Sequence, residues 1–370
     1  MIVRQFKLSL TEKSVIGRKQ KIPGLAQIYD KGRNYLGWAF VSPDSKHYLR
    51  FITNSAQPLD KAFWQARLKE AYQKRKKIAE ITNAFRVVYA ESDGLPSIII
   101  DKFKDIWVMQ ISSSGAQTIK NILAEIILQE FKPQSLLEIP SSFEKDILDS
   151  SFKPNIVFGS KTCTQIQEAD QKFELDVLAG QKTGAYLDYR SFRLKAKELA
   201  HGNCLDLFCY QGWLACQIAG NSQKVIAVDS SNLAVQAGIK NAKLNNHQNL
   251  EFIKADAFNF LNQCQLKFDF IHIDPPAFAK TQKQVKTAQL GYQKLISGAL
   301  KCANPGAIIF ISSCSHKITE RILEETVLGT IQDKGTKAEK IFQGIQDIDH
   351  PVLKNYPETL YLKAIAVRLT

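Results

Sequence analysis

At 370 residues the chain exceeds one ordinary hydrophobic core and implies two or three domains. Its composition, 45% hydrophobic and 23% charged, is that of a soluble globular protein, and no apolar run approaches the roughly 20 residues of a membrane helix, which argues against a membrane-spanning protein. The net charge of +13 is concentrated: residues 1–90 hold 18 Lys and Arg against 6 Asp and Glu, whereas residues 91–370 hold 31 against 30.

The start, Met1 to Lys7, interleaves charge with apolar residues where a signal peptide has an unbroken apolar core, so the expected location is the cytoplasm. Cysteines at 163, 204, 209, 216, 264, 302 and 314 form no CxxC pair and no metal-ligand spacing. Reduced thiols and no bound metal are the expectation.

Taken in chain order, short apolar runs broken by Pro23-Gly24, Asp30-Lys31-Gly32 and Ser42-Pro43-Asp44 make residues 1–60 a small β-rich unit. Cations interleaved with Tyr29, Tyr35, Trp38, Phe40, Tyr48 and Phe51 suit a nucleic-acid surface, with charge for phosphates and flat rings for bases. A generic solvated basic face is the plainer alternative. Asp60 is placed to cap a helix predicted over residues 61–81, whose cluster Lys74-Arg75-Lys76-Lys77 should face water. Strands at 85–89, 97–101 and 106–111, a helix at 116–131, and strands near Leu136, Ile156, Thr162 and Phe173 give a central α+β domain over residues 61–178. From about Ser191 to Leu328 helix and strand alternate, which implies a parallel doubly wound sheet within a carboxyl-terminal domain of residues 179–370. The fold class is therefore multidomain α/β.

Three strand ends in the last domain suggest a nucleoside site. The strand through Asp206 and Phe208 enters a turn at Gly212; the next ends in Asp229, suited to ribose hydroxyls; the third leads to Asp256, placed for an adenine amino group. Gly212 alone does not make the GxGxxG fingerprint that admits a pyrophosphate. Strand-terminal Asp residues are also common turn formers. Together, adenosine recognition without a pyrophosphate loop fits S-adenosylmethionine. The fourth strand ends in Asp274-Pro275-Pro276-Ala277-Phe278, where two prolines orient Asp274 and Ala277 lacks the ring of sequences that methylate exocyclic amines. The apolar run Gly306 to Ile311 delivers Cys314, within Ser312-Ser313-Cys314-Ser315-His316, to the end of another strand. Packing is the ordinary fate of a cysteine; at a strand end facing a ligand crevice it can be a nucleophile.

With Glu91-Ser92-Asp93-Gly94-Leu95-Pro96, Gly180-Gln181-Lys182-Thr183-Gly184-Ala185-Tyr186-Leu187-Asp188-Tyr189-Arg190, the Asp206 to Gly212 turn, Asp274 to Phe278, Ser313-Cys314-Ser315, His350-Pro351 and Tyr361-Leu362-Lys363, the chain resembles the bacterial large-subunit rRNA cytosine-5 methyltransferases over nearly its whole length. These are class I enzymes using S-adenosylmethionine. The resemblance implies an amino-terminal PUA domain, a central α+β domain and a Rossmann-like methyltransferase domain. It implies large-subunit rRNA as partner and no membrane; association as a homodimer is left open. Cys314 would add to C6 of cytosine and Asp274 would hold its edge, while Lys182, Thr183, Tyr186, Asp206, Phe208, Gly212, Asp229, Asp256, Asp274 and Pro275 would surround the cofactor. His316 is a candidate to deprotonate Cys314, with a surface or structural histidine the favoured reading; Cys209 is read as packing or a cofactor contact. Two departures touch RNA contacts: a tryptophan-containing segment is missing between Lys19 and Gly24, and Leu137 to Phe143 replaces an arginine-rich stretch. Guanosine N-methylation, which needs no thiol, and a non-catalytic RNA-binding assembly role are the alternative readings.

Overall fold

The computed structural model describes residues 1–3, 7–17, 19–140, 153–180 and 183–370. The chain packs as two compact units: the first comprises residues 1–169, 175–187 and 348–356, the second residues 170–174, 188–347 and 357–370.

The amino-terminal part of the first unit is a six-stranded sheet ordered Ser9–Leu10, Leu49–Thr53, Tyr35–Val41, Gly24–Tyr29, Ile2–Val3, Val15–Ile16. Ile28, Ala39, Val41 and Leu49 alternate inward to form its small core, as a sheet wetted on one face requires. Gly37 is needed here, because a Cβ on it would lie 2.1 Å from the Thr53 carbonyl oxygen across the Tyr35–Val41/Leu49–Thr53 pair. A five-stranded sheet follows in the order Asn155–Phe158, Ser135–Glu138, Ile106–Ile111, Ile98–Phe103, Ala84–Tyr89. Its one parallel pair, Ile106–Ile111 with Ser135–Glu138, is bridged by helix Lys120–Phe131, which buries Leu123 and Ile127 against Trp107 and Met109. The helix expected over 116–131 is thus two pieces, Ser114–Gln117 and Lys120–Phe131. The segment replacing the arginine-rich stretch lies outside the described residues from 141 onward.

Helix Lys61–Gln73 begins as its sequence predicts, with the Asp60 carboxylate accepting from the Phe63 N–H at 3.0 Å. It ends eight residues short of the expected 81, and its basic cluster splits. Lys74, Lys76 and Lys77 are exposed, but Arg75 is 1% exposed and turns inward. Its guanidinium donates to both Asp93 oxygens at 2.6 and 2.7 Å, and to the Arg86 and Asp349 carbonyls at 3.1 and 3.0 Å. Bidentate geometry plus two carbonyls offsets the desolvation of a buried arginine. Arg86 forms a second such pair with fully buried Asp101, at 2.8 Å on both oxygens. Asp349 accepts from the Arg86 N–H at 3.0 Å and bonds His350 Nδ1 at 2.7 Å, while the Ser92 hydroxyl donates to the Pro351 carbonyl at 2.7 Å. The Glu91–Pro96 and His350-Pro351 motifs, some 250 residues apart, meet around these ion pairs. Asp93→Asn should leave Arg75 a buried, unbalanced cation and cost about 3–5 kcal/mol in urea unfolding; an unchanged midpoint would show that the pair is dispensable.

In the second unit the strands are β1 (Asn203–Leu207), β2 (Lys224–Asp229), β3 (Leu250–Lys254), β4 (Phe268–Ile273), β5 (Ala303–Ser313), β6 (Ala338–Ile345) and β7 (Lys363–Leu369). Helices α1 (Arg190–Leu199), α2 (Trp213–Ala219), α3 (Asn232–Leu244), α4 (Ala257–Gln263), α5 (Val285–Cys302) and α6 (Glu320–Asp333) alternate with them. The sheet order is β3-β2-β1-β4-β5-β7-β6. The first five strands are parallel, and β7 inserts antiparallel to both β5 and β6. This is a doubly wound sheet whose order reverses between β1 and β4, where a ligand crevice forms at the carboxyl ends. Leu205, Leu207, Ile271, Ile273, Ile309 and Ile311 pack on Leu295, Ile296 and Ala299 of α5, burying that face of the sheet.

Candidate active site

Strand register assembles the centre of the site. Leu207 lies opposite Ile273, and Ile273 opposite Ile311, so residues 208, 274 and 312 leave three adjacent strands side by side. Asp274 consequently meets Ser312, whose hydroxyl donates to Asp274 Oδ1. Burial is the main influence on Asp274 and raises its carboxyl pKa to about 6, with His272 and the Ser312 hydroxyl opposing. β5 runs to Ser313, so Cys314 is the first residue beyond it; its Sγ is 4.0 Å from the Pro275 carbonyl oxygen. Cys314 and the Asp274-Pro275 corner therefore share one strand-end platform.

Lys363, at the start of β7, is 3% exposed and donates to the Ser315 and Ile318 carbonyls at 2.7 and 2.6 Å. Burial pulls its pKa down to about 8, opposed by the negative charge that Cys314 carries when ionised. Among the other thiols, burial pushes Cys204, Cys216 and Cys302 up to about 11, 12 and 11, and raises Cys209 well above the ordinary thiol range. These remain protonated packing groups at neutral pH. His316 is exposed, with its ring 5.6 Å from that of Tyr361, and desolvation together with Lys363 and Lys317 lowers its pKa.

The turn after β1 has the strain of a ligand loop. Phe208, Tyr210 and Gly212 have φ of +63°, +48° and +73°, two of them side-chain-bearing residues in the left-handed region. Asp229 supports the loop: its Oδ2 accepts from the Tyr210 N–H at 2.9 Å and its Oδ1 from the Ser231 N–H at 2.8 Å. Asn241 Nδ2 donates to the Gln211 carbonyl at 3.0 Å. A Cβ at Gly212 would fall 2.5 Å from the Phe252 ring, so glycine is required by space as well as by φ. Gln211 Oε1 is buried with no partner among the described residues, a polar acceptor left for a ligand. The single-glycine turn, its support by Asp229 and the orphaned Gln211 oxygen fit S-adenosylmethionine, for which Gln211, Gly212 and Asp229 are the holding candidates.

The remaining expected cofactor residues are placed unevenly. Asp256 caps α4, accepting from the Asn259 N–H at 2.9 Å, and is exposed. Pro275 is buried beneath Cys314. Asp206 departs from expectation: fully buried, it bonds His272 Nδ1 at 2.7 Å, because residue alternation points it to the sheet face rather than to the strand end. Thr183 and Tyr186 belong to the first unit, where the Thr183 hydroxyl donates to Asp101; Lys182 lies outside the described residues. Arg190 pairs with Asp347 at 2.8 Å and Arg193 lies over the Trp213 ring at 5.2 Å, both structural. Sequence reasoning did not single out Gln211, with its orphaned side-chain oxygen, or Ser312, which bonds Asp274.

Comparison with known proteins agrees with this architecture. Residues 199–361 match a methyltransferase domain family. A ribosomal RNA large subunit methyltransferase I from Yersinia pseudotuberculosis is 31% identical over 92% of this chain and 89% of its own length. Among solved structures, an S-adenosylmethionine-dependent methyltransferase from Streptococcus mutans superposes with a TM-score of 0.82 at 19% identity, covering 100% and 99% of the two chains. A methyltransferase complexed with S-adenosylhomocysteine gives 0.81 at 19% identity over 98% and 95%. The fold and the strand-end site define a methyltransferase that takes its methyl group from S-adenosylmethionine. Within that class the chain belongs to the ribosomal RNA large subunit methyltransferase I family. Among the described residues no helix is long and apolar enough to cross a membrane.

Two outcomes follow. Gly212→Ala, which drives a methyl group into Phe252, should weaken S-adenosylmethionine binding about tenfold or more by calorimetry; unchanged affinity would remove the turn from the cofactor site. Because the Asp274 pKa is raised in the folded state, its stability contribution is present at low pH and is lost as pH rises through about 6. Asp274→Asn should therefore be more stable than the wild type above pH 6, by up to about 3 kcal/mol, with the difference vanishing below about pH 4 in urea unfolding. A difference independent of pH would contradict this.

Proposed function

We propose that the protein transfers a methyl group to C5 of a cytosine in large-subunit ribosomal RNA through a covalent adduct between Cys314 and C6. The single observation that carries the reading is the placement of Cys314 at the end of β5, with its sulfur 4.0 Å from the Pro275 carbonyl and under the influence of Lys363. A ring nitrogen or exocyclic amine can attack a methyl sulfonium unaided; C5 of cytosine cannot, and needs a thiolate added next to it.

S-adenosylmethionine, when bound, supplies an electrophilic methyl group. The Cys314 thiolate forms a C–S bond to C6, and the C5=C6 electron pair shifts so that C5 becomes enamine-like. Asp274 holds the N3 edge and stabilises the proton that N3 takes up as negative charge accumulates in the ring. Once C5 carries the methyl group, a base removes the C5 proton, the double bond reforms and the C–S bond breaks, returning the thiolate. Lys363 stabilises that thiolate at both ends of the cycle.

Residues 1–60 are the proposed PUA-like RNA-binding part, supported by the positive excess of residues 1–90 and by a sheet carrying Tyr35 and Trp38. The central α+β part, residues 61–178, and the methyltransferase part, residues 179–370, complete the proposed division.

RNA carrying 5-fluorocytidine tests the mechanism, because a fluorine at C5 cannot leave as a proton does. With S-adenosylmethionine present, the wild type should form an adduct stable to denaturing electrophoresis, and Cys314→Ala should form none and lose methyl transfer by about a hundredfold or more. Methyl label recovered on guanosine after digestion to nucleosides would overturn the reading.

A further inference from the structure

We propose that the rim of the strand-end platform is a second RNA-binding surface, on which Lys280, Lys283, Lys286 and Lys317 hold the backbone phosphates flanking the target nucleotide. The inference rests on the reading of Cys314 and Asp274 as the groups that meet an RNA base, and names the surface that carries the strand to them. Residues 275–319 contain six lysines and no Asp or Glu. This acid-free stretch begins directly after Asp274 and takes in Cys314, within a part of the chain, residues 91–370, whose 31 cations and 30 anions nearly balance. Lys280, Lys283 and Lys286 recur at intervals of three from beyond the Asp274-Pro275 corner into the first turn of α5, and Lys317 follows the end of β5. All four are exposed, and none forms an ion pair among the described residues. Lysines elsewhere in the second unit do: Lys224 pairs with Glu251 at 2.8 Å and Lys340 with Glu324 at 2.6 Å.

The rim is fixed in place. Gln284 Oε1 accepts from the Lys280 and Thr281 N–H groups at 2.9 and 3.0 Å, within a capping box that closes the turn Gln282–Gln284 ahead of α5. The Phe278 ring meets buried Tyr292 edge to face, with centroids 5.2 Å apart. The Ala279 N–H donates to Ser315 Oγ at 3.2 Å, and Lys363 holds the Ser315 and Ile318 carbonyls. One hydrogen bond thus ties the two loops together, a single residue before Lys280 on one side and between Cys314 and Lys317 on the other. Like charges three residues apart on a helical turn repel, and here no acid on a neighbouring turn relieves them. An anion from outside does.

Chemistry on a base requires it to leave its stack, and an extruded nucleotide brings its own flanking phosphates to the mouth of the site. Lysine suits that contact, as a point charge on a flexible stem that neutralises a phosphate without reading sequence. The rim therefore supplies affinity and register, not base specificity. Lys301, also within the acid-free stretch, provides the internal contrast. It lies fifteen residues beyond Lys286, about 22 Å along the α5 axis, beside the amino edge of the sheet where Phe268 pairs with Ala303. Lys334 and Lys337, between the end of α6 and the start of β6, share that opposite edge.

The test compares two variants of the full-length protein that lose equal charge from exposed positions: Lys280→Gln with Lys283→Gln and Lys286→Gln at the rim, and Lys301→Gln with Lys334→Gln and Lys337→Gln at the opposite edge. The probe is protein-free, unmodified large-subunit rRNA, bound over a range of salt concentrations. The rim variant should keep the wild-type affinity for S-adenosylmethionine by calorimetry and raise KM for RNA about tenfold or more. Its slope of log K against log salt should be shallower by about 2, as the loss of three single-strand phosphate contacts requires. The opposite-edge variant should match wild type in all three. Equal losses in both variants would reduce the effect to net charge and overturn the assignment, as would a rim variant with the wild-type KM and slope. A rim variant impaired on assembling ribosomal particles but not on protein-free rRNA would overturn it too, by placing a protein on the rim. An impaired rim variant with methyl found on an atom other than C5 would retire the cytosine reading and leave the rim; an unimpaired one with methyl on C5 would do the reverse.

Discussion

The site depends on one constraint above others, the in-register parallel pairing of β1, β4 and β5. Leu207, Ile273 and Ile311 are held level by backbone hydrogen bonds and by the apolar face they bury against α5. Everything chemical then sits one to three residues beyond that line: Phe208 opening the turn to Gly212, Asp274 with Pro275, and Ser312 with Cys314. A one-residue slip of β5 would exchange its two faces, sending Ser312 into the α5 core and Ile311 out of it. The long apolar burial of a doubly wound sheet is what makes such a slip too costly to occur.

Buried charge is used differently in the two units. In the first, Arg75 with Asp93 and Arg86 with Asp101 are bidentate pairs with their remaining capacity taken by carbonyls, an N–H and a hydroxyl. That degree of satisfaction fits a structural role, and it brings residues 348–356 into the same network as strands 84–89 and 98–103. In the second unit the polar groups are left partly unsatisfied. Asp206 Oδ2 and Gln211 Oε1 lack partners among the described residues, and Asp274 is held where its charged form is disfavoured. Polar groups kept at an energetic disadvantage beside a strained turn characterise a functional centre.

Cys314 is distinguished from the other cysteines by surroundings rather than by sequence alone. Cys204, Cys209 and Cys216 share apolar burial near Asp206, which holds them as thiols. Cys314 has Lys363 within electrostatic reach and is only half-buried. The lysine arrives from β7, some fifty residues later, through antiparallel pairing of Ser313 with Lys363.

Local patterns in the chain were sufficient for the alternating elements of the second unit, the Asp60 cap, the β-rich amino terminus, the single-glycine turn and the strand ends at Asp274 and Cys314. Each of these is written in a few consecutive residues, through apolar periodicity, turn formers or a capping side chain. Only the tertiary structure decided the rest. Arg75 reads as one more solvated cation until Asp93, eighteen residues on, supplies its partner. Asp206 reads as a cofactor ligand until its neighbour in the next strand proves to be His272. Thr183, within a motif quoted for cofactor binding, spends its hydroxyl on Asp101. The distinction has one physical cause: propensity and periodicity are local, whereas the fate of a charged or polar side chain is set by whichever distant residue the sheet register places against it.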